Sequence, residues 1–437
     1  MSLSRRTVMT AGLATAAAAL TGCGETAKSS WSEPPSPSAQ PSSSPPVEQS
    51  SASPSAAIRS PYEAQVTAVL KRYLGTTSAN PKHPLYSGAV AMAMVNGAVT
   101  VHTAVGDALR YSAGPVELSA GQRVAMRPDS VFDQASITKV YTAMLVLQQV
   151  DQGRLDLAAP LADYLPEFGK PSVTISMLLA HTSGLPIGAK IGGLSSTAER
   201  RAAVLSTPLL DGAVPGNTFR YSSVGLMVLA QLVENLTGKP LDQAVKDGIT
   251  GPLGLRDTGF NPLKWLSASD RAARMVATDA RSSRGLLRGV VHDDVCNTLG
   301  GVAGHAGIFS TASDLAVIGQ VLLNGGQYQG KRILAEDTVR KMLVNVNPGL
   351  PAIDAERPGR PSDHGLGVTI NQPWLMGKLS SPDAFGHSGF TGTSIVVCKR
   401  RKLVLVVLTN RAHPNWSWAN PDPVRVAIAN VLAEALG

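Results

Sequence analysis

Hydrophobic and polar positions change their rhythm three times along this chain. Tyr62–Leu74 reads as an amphipathic helix. Two β-rich runs follow, Ala89–Val95 and Val99–Val105, on either side of Asn96-Gly97, a pair suited to the turn of a two-residue hairpin. From Ile137 to about Gly254 the pattern is helical, broken at Gly153, Pro160, Gly184, Pro215 and Gly238-Lys239-Pro240. A loop-rich stretch then carries Gly300-Gly301-Val302-Ala303-Gly304-His305-Ala306-Gly307, and Asp314–Asn324 reads as another helix. Near the end, Thr393–Cys398 and Leu403–Thr409 flank Lys399-Arg400-Arg401-Lys402 as a second hairpin, and Pro423–Leu436 closes the chain as a helix. Hairpins at both ends with helices between them predict an α/β fold of the α+β type. Its antiparallel sheet is assembled from the N- and C-terminal segments and flanked by helices, with a mainly helical subdomain inserted over roughly 137–330. A site belongs in the cleft between those two parts.

The chain before Pro61 has no such rhythm. Ser4-Arg5-Arg6-Thr7 precedes a short alanine-rich apolar run, Ala11–Leu20, too short to span a bilayer, and then Leu20-Thr21-Gly22-Cys23. This order describes a signal peptide over 1–22 whose paired arginines resemble a twin-arginine export signal; Leu-Thr-Gly-Cys resembles a bacterial lipobox, implying lipidation of Cys23. Residues 23–60 are mostly Ser and Pro beyond the cysteine, too poor in aliphatic side chains to fold, and read as an extended tether. Together these predict an exported protein, lipid-anchored to the outer face of the cell membrane, with one domain over 61–437. Only Cys296 and Cys398 remain within it, so it is no disulfide scaffold, and spacing does not say whether they pair. The net charge of +8 is spread without a basic run, which gives no footing for nucleic acid and reads as a solvated basic surface.

Chemistry concentrates at Ser136-Ile137-Thr138-Lys139. Residues three apart share a helix face, so the Lys139 amine can reach the Ser136 hydroxyl. The segment from Val140 to Val150 is dominated by apolar residues, which places the lysine at a buried junction. Buried amines give up a proton more readily than exposed ones, and a serine at a helix start has backbone N–H groups nearby for a developing oxyanion. No other lysine of the chain has a serine three residues before it. The pair is the signature of an acyl-serine enzyme. The sequence contains neither Gly-x-Ser-x-Gly nor His-Glu-x-x-His; His292-Asp293-Asp294 and His305 have no recognised metal-ligand spacing, so no metal and no cofactor are expected.

Six stretches in order resemble the serine β-lactamase and penicillin-binding-protein superfamily, in particular its class C, family VIII esterase and DD-carboxypeptidase-like branch. They are Phe132–Lys139; Gly153-Arg154-Leu155-Asp156-Leu157 with Tyr164–Phe168; Leu178–Pro186 around His181; Phe219–Gly225; Gly301–Ser310; and Gly386–Gly392. The resemblance spans roughly Pro61 to Gly437. It implies Ser136 as acylated nucleophile, Lys139 as its proton partner and Tyr221 as a second proton relay. Ser223 stands where that family's Tyr-x-Asn element has asparagine, with a shorter reach and one donor. His387-Ser388-Gly389 falls at the Lys-Thr-Gly strand, and the amides of Phe390 and Ser136 would form the oxyanion hole. A histidine is mostly uncharged at neutral pH and grips a substrate carboxylate less firmly than lysine. Arg411 is a candidate for the missing charge, and His305 a further cleft residue; His181 reads as a packing or capping residue. The resemblance thus implies a serine hydrolase of ester, D-Ala-D-Ala peptide or β-lactam substrates, with ester or peptide favoured. The competing reading is an envelope-binding lipoprotein that keeps the fold with little or no catalysis. The resemblance leaves oligomeric state open.

Overall fold

The computed structural model describes residues 60–437; the expected signal peptide (1–22), Cys23 and nearly all of the expected tether fall outside the described residues. The first helix, α1 (Glu63–Arg72), precedes the hairpin β1 (Gly88–Val95) and β2 (Ala98–Leu109). Asn96 and Gly97 both take positive φ, 52° and 80°, the pairing a tight hairpin turn requires of two successive residues. Strand β3 (Val124–Ala125) borders β2, and the chain then enters its helical middle with α2 (Thr138–Asp151), α3 (Ser223–Thr237) and α4 (Ala312–Leu323). Strands β4 (Thr369–Ile370), β5 (Ala384–Ser388), β6 (Thr393–Cys398) and β7 (Leu403–Thr409) follow, and α5 (Asp422–Ala435) ends the chain.

The sheet runs β4-β5-β6-β7-β1-β2-β3, all antiparallel. Its seam is β7 against β1, from Ala89 opposite Thr409 to Val95 opposite Leu403, so the two ends of the domain meet at the centre of one sheet. Both faces are covered, which is why the strands read as nearly unbroken apolar runs. Ala89, Ala91 and Ala93 of β1, with Leu403, Leu405 and Val407 of β7, pack with Val66 and Leu70 of α1 and Val424, Ile428 and Leu432 of α5. The alternate residues Val90, Met92, Met94, Val404, Val406 and Leu408 pack into the larger core with α2, α3 and α4. Helix α4 sits close on β7: a Cβ at Gly319 would come within 2.5 Å of Val404.

A small three-stranded sheet connects the helical middle to the site. Phe132–Asp133 pairs with Ile308–Ser310, which pairs in turn with Gly259–Phe260. Helix α2 follows the first of these strands after a short elbow and a 3₁₀ turn, Ala135–Ile137, so the strand fixes where α2 starts. Cys296 and Cys398 are free, buried thiols. Among the described residues no helix is long and apolar enough to cross a membrane.

Candidate active site

Between Phe132–Asp133 and α2 the chain makes a sharp elbow. Ala135 has φ 47°, a left-handed conformation that strains any residue with a side chain. Asp133 holds it there. Its fully buried carboxylate accepts the amide of Ala135 at 2.8 Å and that of His292 at 2.7 Å. Burial raises the Asp133 pKa, and the two amide bonds only partly offset it. A 3₁₀ turn, Ala135–Ile137, leads from the elbow into α2 and presents Ser136, half-exposed, to the cleft.

Lys139, in the first turn of α2, is 0% exposed. Its Nζ lies 3.0 Å from Ser136 Oγ and 3.0 Å from the His305 carbonyl oxygen, and 4.9 Å from the centre of the Tyr221 ring. Among the described residues it forms no ion pair with a carboxylate. One hydroxyl, one carbonyl and one aromatic face therefore surround the amine. His305 serves through its backbone; its ring is turned to Asp293, 2.9 Å from Nε2 to Oδ1, and Asp293 lines the cleft. Burial pulls the His305 pKa down, against the opposing effect of Asp293.

Tyr221 and Ser223 come from the start of α3. Ser222 caps that helix, accepting the Gly225 amide at 3.2 Å and donating to Pro186 O at 2.7 Å. His181, read from sequence as a packing or capping residue, takes φ 59° and accepts the Ser222 amide on Nδ1 at 3.2 Å. Its ring also packs 4.6 Å from that of Tyr221, so it holds the tyrosine from behind. His364 continues the stack at 5.0 Å from His181, and His387 lies 6.4 Å from Tyr221 on the other side.

His387 and Ser388 end β5, with Gly389 at the bend after it. His387 is 4% exposed, and its Nδ1 donates to Ser388 O at 2.9 Å. Burial pushes its pKa down to about 3; burial takes His364 to about 3 as well and holds His181 well below the ordinary range. These three imidazoles are neutral at pH 7. Gly389 admits no side chain: a Cβ there would come within 2.1 Å of Thr393 Oγ1 and 2.4 Å of Gln134 O. The turn after it is bound to the segment leading into Ser136 by Thr391 Oγ1 donating to Asp133 O (2.7 Å) and Thr393 Oγ1 to Gln134 O (3.1 Å).

Ser136, Tyr221, Ser223, His305, His387, Ser388, Gly389, Phe390 and Arg411 thus all line one cleft of about 1070 Å³; Lys139 sits just beneath its surface. The far wall carries Arg411, expected from the sequence, and adds Arg360 and Arg357, which sequence reasoning did not single out. Arg360 lies over Phe219 at 4.9 Å and Trp374 at 5.3 Å and pairs with Asp354 at 3.0 Å. Arg357 stacks on Trp374 at 4.0 Å and pairs with Asp422 at 3.0 Å. Arg411 lies 4.3 Å over the Phe390 ring and donates to Trp416 O at 2.6 Å. Burial lowers its pKa to about 10, which leaves it charged at neutral pH, and among the described residues it has no carboxylate partner. No group of three or more His, Cys, Asp or Glu side chains among the described residues is placed to hold a metal ion.

Comparison with known proteins agrees with this geometry. Over residues 81–430 the sequence matches the beta-lactamase family. It is 33% identical over 324 residues to an Escherichia coli K12 protein named "Putative D-alanyl-D-alanine carboxypeptidase", covering 67% of this chain and 71% of that one. It is 30% identical over 355 residues to the N-acetylmuramyl-L-alanine amidase of Bacillus subtilis, covering 75% and 78%. The crystal structure of a penicillin-binding protein homologue from Caulobacter crescentus has the same fold, with TM-score 0.63 at 20% identity over 86% of this chain and 98% of that one. An antiparallel sheet built from both chain ends, a Ser-x-x-Lys elbow beneath a cleft and this agreement in sequence lead to one conclusion: the chain belongs to the beta-lactamase family of serine hydrolases.

Proposed function

We propose that this protein is an extracytoplasmic hydrolase that works through an acyl-Ser136 intermediate on ester or D-alanyl peptide substrates, lipid-anchored through Cys23. The observation that carries the reading is the buried Lys139 amine 3.0 Å from Ser136 Oγ. Ser136 Oγ attacks the substrate carbonyl and its proton passes to Lys139. The amides of Ser136 and Phe390 take the oxyanion. Lys139 and Tyr221 return the proton to the leaving group, and water, deprotonated by the same pair, releases the acyl group.

The binding side favours esters or peptides over a dedicated β-lactamase. A neutral, buried His387 gives a substrate carboxylate no charge to pair with. Arg411, charged and without a carboxylate partner, is the cation we assign to that role. The name of one relative, a D-alanyl-D-alanine carboxypeptidase, points the same way for the peptide.

Intact-protein mass spectrometry after exposure to a fluorophosphonate and to a penicillin tests the proposal. The wild-type domain should gain one adduct with the fluorophosphonate, and the Ser136→Ala variant none. A long-lived penicilloyl adduct would place the enzyme among the peptidases with slow deacylation. Labelling that survives Ser136→Ala would place the nucleophile elsewhere, and no labelling of either protein would leave an envelope-binding role in its place.

A further inference from the structure

We infer that Arg425, on α5, is a positioning residue for the reaction: it fixes and polarises the peptide group whose N–H is the Phe390 half of the oxyanion hole. The inference rests on the acyl-Ser136 reading above and adds to it a residue from the opposite end of the chain.

The Arg425 side chain is 3% exposed. Its Nη2 donates to the carbonyl of Gly389 at 3.0 Å and to that of Thr393 at 2.9 Å, the two ends of the turn that contains Phe390. The turn closes on itself through Gly389 N to Thr393 O at 2.8 Å and Gly392 N to Gly389 O at 3.1 Å. The Phe390 side chain itself is 40% exposed.

The Gly389 carbonyl and the Phe390 N–H belong to the same peptide group. In a planar trans peptide the two point in opposite directions. Anchoring the carbonyl on Arg425 therefore aims the N–H away from α5. A cation bonded to that oxygen also draws electron density through the amide and makes its N–H a stronger donor. The Asp133 and Gln134 carbonyls grip the turn from the nucleophile's own strand, so Arg425 and the Ser136 elbow hold it from two sides. Arg425 is itself fixed by Asp422 at 2.8 Å, and Asp422 also takes Arg357 from the cleft wall. Burial lowers the Arg425 pKa only to about 10, so it keeps its charge at neutral pH.

The test compares Arg425→Met and Arg425→Lys with Leu432→Ala, a buried residue of the same helix that has no contact with the turn. Turnover is measured on a p-nitrophenyl ester and on its thiono analogue, whose sulfur fits an oxyanion hole poorly, with active sites counted by fluorophosphonate labelling. Removing one oxyanion donor outright costs 10²–10³ in kcat, so Arg425→Met should lose roughly 30- to 100-fold in kcat. Its KM should move less than about threefold, and the preference for ester over thiono ester should shrink. Arg425→Lys, which keeps the charge and can reach at least one carbonyl, should recover part of the loss. Leu432→Ala should lower thermal stability and leave both kcat per active site and the oxo/thiono ratio as in wild type. If Arg425→Met does not fold, Arg425→Lys alone decides by the same ratio. The inference is overturned if the Arg425 variants keep kcat within about threefold of wild type, or if Leu432→Ala reproduces their loss with the ratio unmoved. A wild-type protein without any acyl or phosphonyl adduct would instead overturn the acyl-Ser136 reading, and this inference with it.

Discussion

The two walls of the cleft are built in opposite ways. On the nucleophile wall, Ser136 and Lys139 are three residues apart, and their 3.0 Å contact follows from one turn of backbone. The fully buried amine is enclosed by the Ser136 hydroxyl, the His305 carbonyl and the Tyr221 ring. On the facing wall, Arg357 with Arg360, Arg411 and Arg425 come from three separate segments and are held by aromatic faces, carboxylates and carbonyls. In the acyl-Ser136 reading proposed above, the first wall supplies the reaction and depends little on what the substrate carries. The second supplies charge and shape, and should decide which acyl compounds enter. Chemistry on one wall and selectivity on the other predict that substitutions on the two walls will act on different kinetic constants.

The largest effect should come from the nucleophile wall. Lys139→Met replaces the amine with an apolar chain of similar length. Loss of a general acid–base group of this kind lowers kcat by about 10³-fold. KM should change little, and fluorophosphonate labelling of Ser136 should slow in parallel. Thermal stability should hold or rise, because an amine with only a hydroxyl and a carbonyl for partners is exchanged for an apolar side chain in an apolar site. A variant with kcat within tenfold of wild type would break the comparison, since it would remove the proton acceptor from that wall.

A smaller, selective effect should come from Arg411→Met. A hydrogen bond to a charged group contributes about 1.5–3 kcal/mol, so KM should rise roughly tenfold or more for substrates that carry a carboxylate, such as a D-alanyl-D-alanine peptide. A neutral short ester should be hydrolysed with unchanged KM. Michaelis–Menten measurements on the two substrates decide. Equal changes on both would mean that Arg411 supports Phe390, over whose ring it lies, more than it binds an anion.

How far each wall could be read from the sequence follows from the same contrast. The hairpin at Asn96-Gly97, the hairpin around Lys399–Lys402 and the closing helix are local patterns, and the strands lie where that pattern places them. Ser136 and Lys139 were visible for the same reason. Arg360 and Arg425 were not, because each gains its role from partners far along the chain: Phe219 and Trp374 for one, Gly389 and Thr393 for the other. No residue-type pattern distinguishes such an arginine from one on a solvated helix face. His181 shows the intermediate case: its motif marked it out, but only its φ of 59° and its bond to Ser222 reveal that it braces Tyr221. For His387 the ordinary histidine range already implies a mostly uncharged ring at neutral pH, and burial lowers its pKa further, to about 3.

The smallest predicted effect concerns stability against pH, and it places His364 and His387 in the fixed frame of the site. Their folded pKa values, about 3, lie below the ordinary 6.5 of an unfolded chain. Between those values the unfolded chain binds protons that the folded domain refuses, so stability rises with pH across that window. It should be complete above about pH 6.5 and fall steadily as the pH drops toward 3. Chemical denaturation of the domain at a series of pH values measures the slope. His364→Gln, which cannot take up a proton, should flatten it by about one proton's worth while lowering stability at pH 7 through the loss of its bond to Gly365 O. A slope that His364→Gln leaves unchanged would mean that this imidazole is reached by water and protonates in the folded state, and that the wall behind Tyr221 is softer than its packing implies.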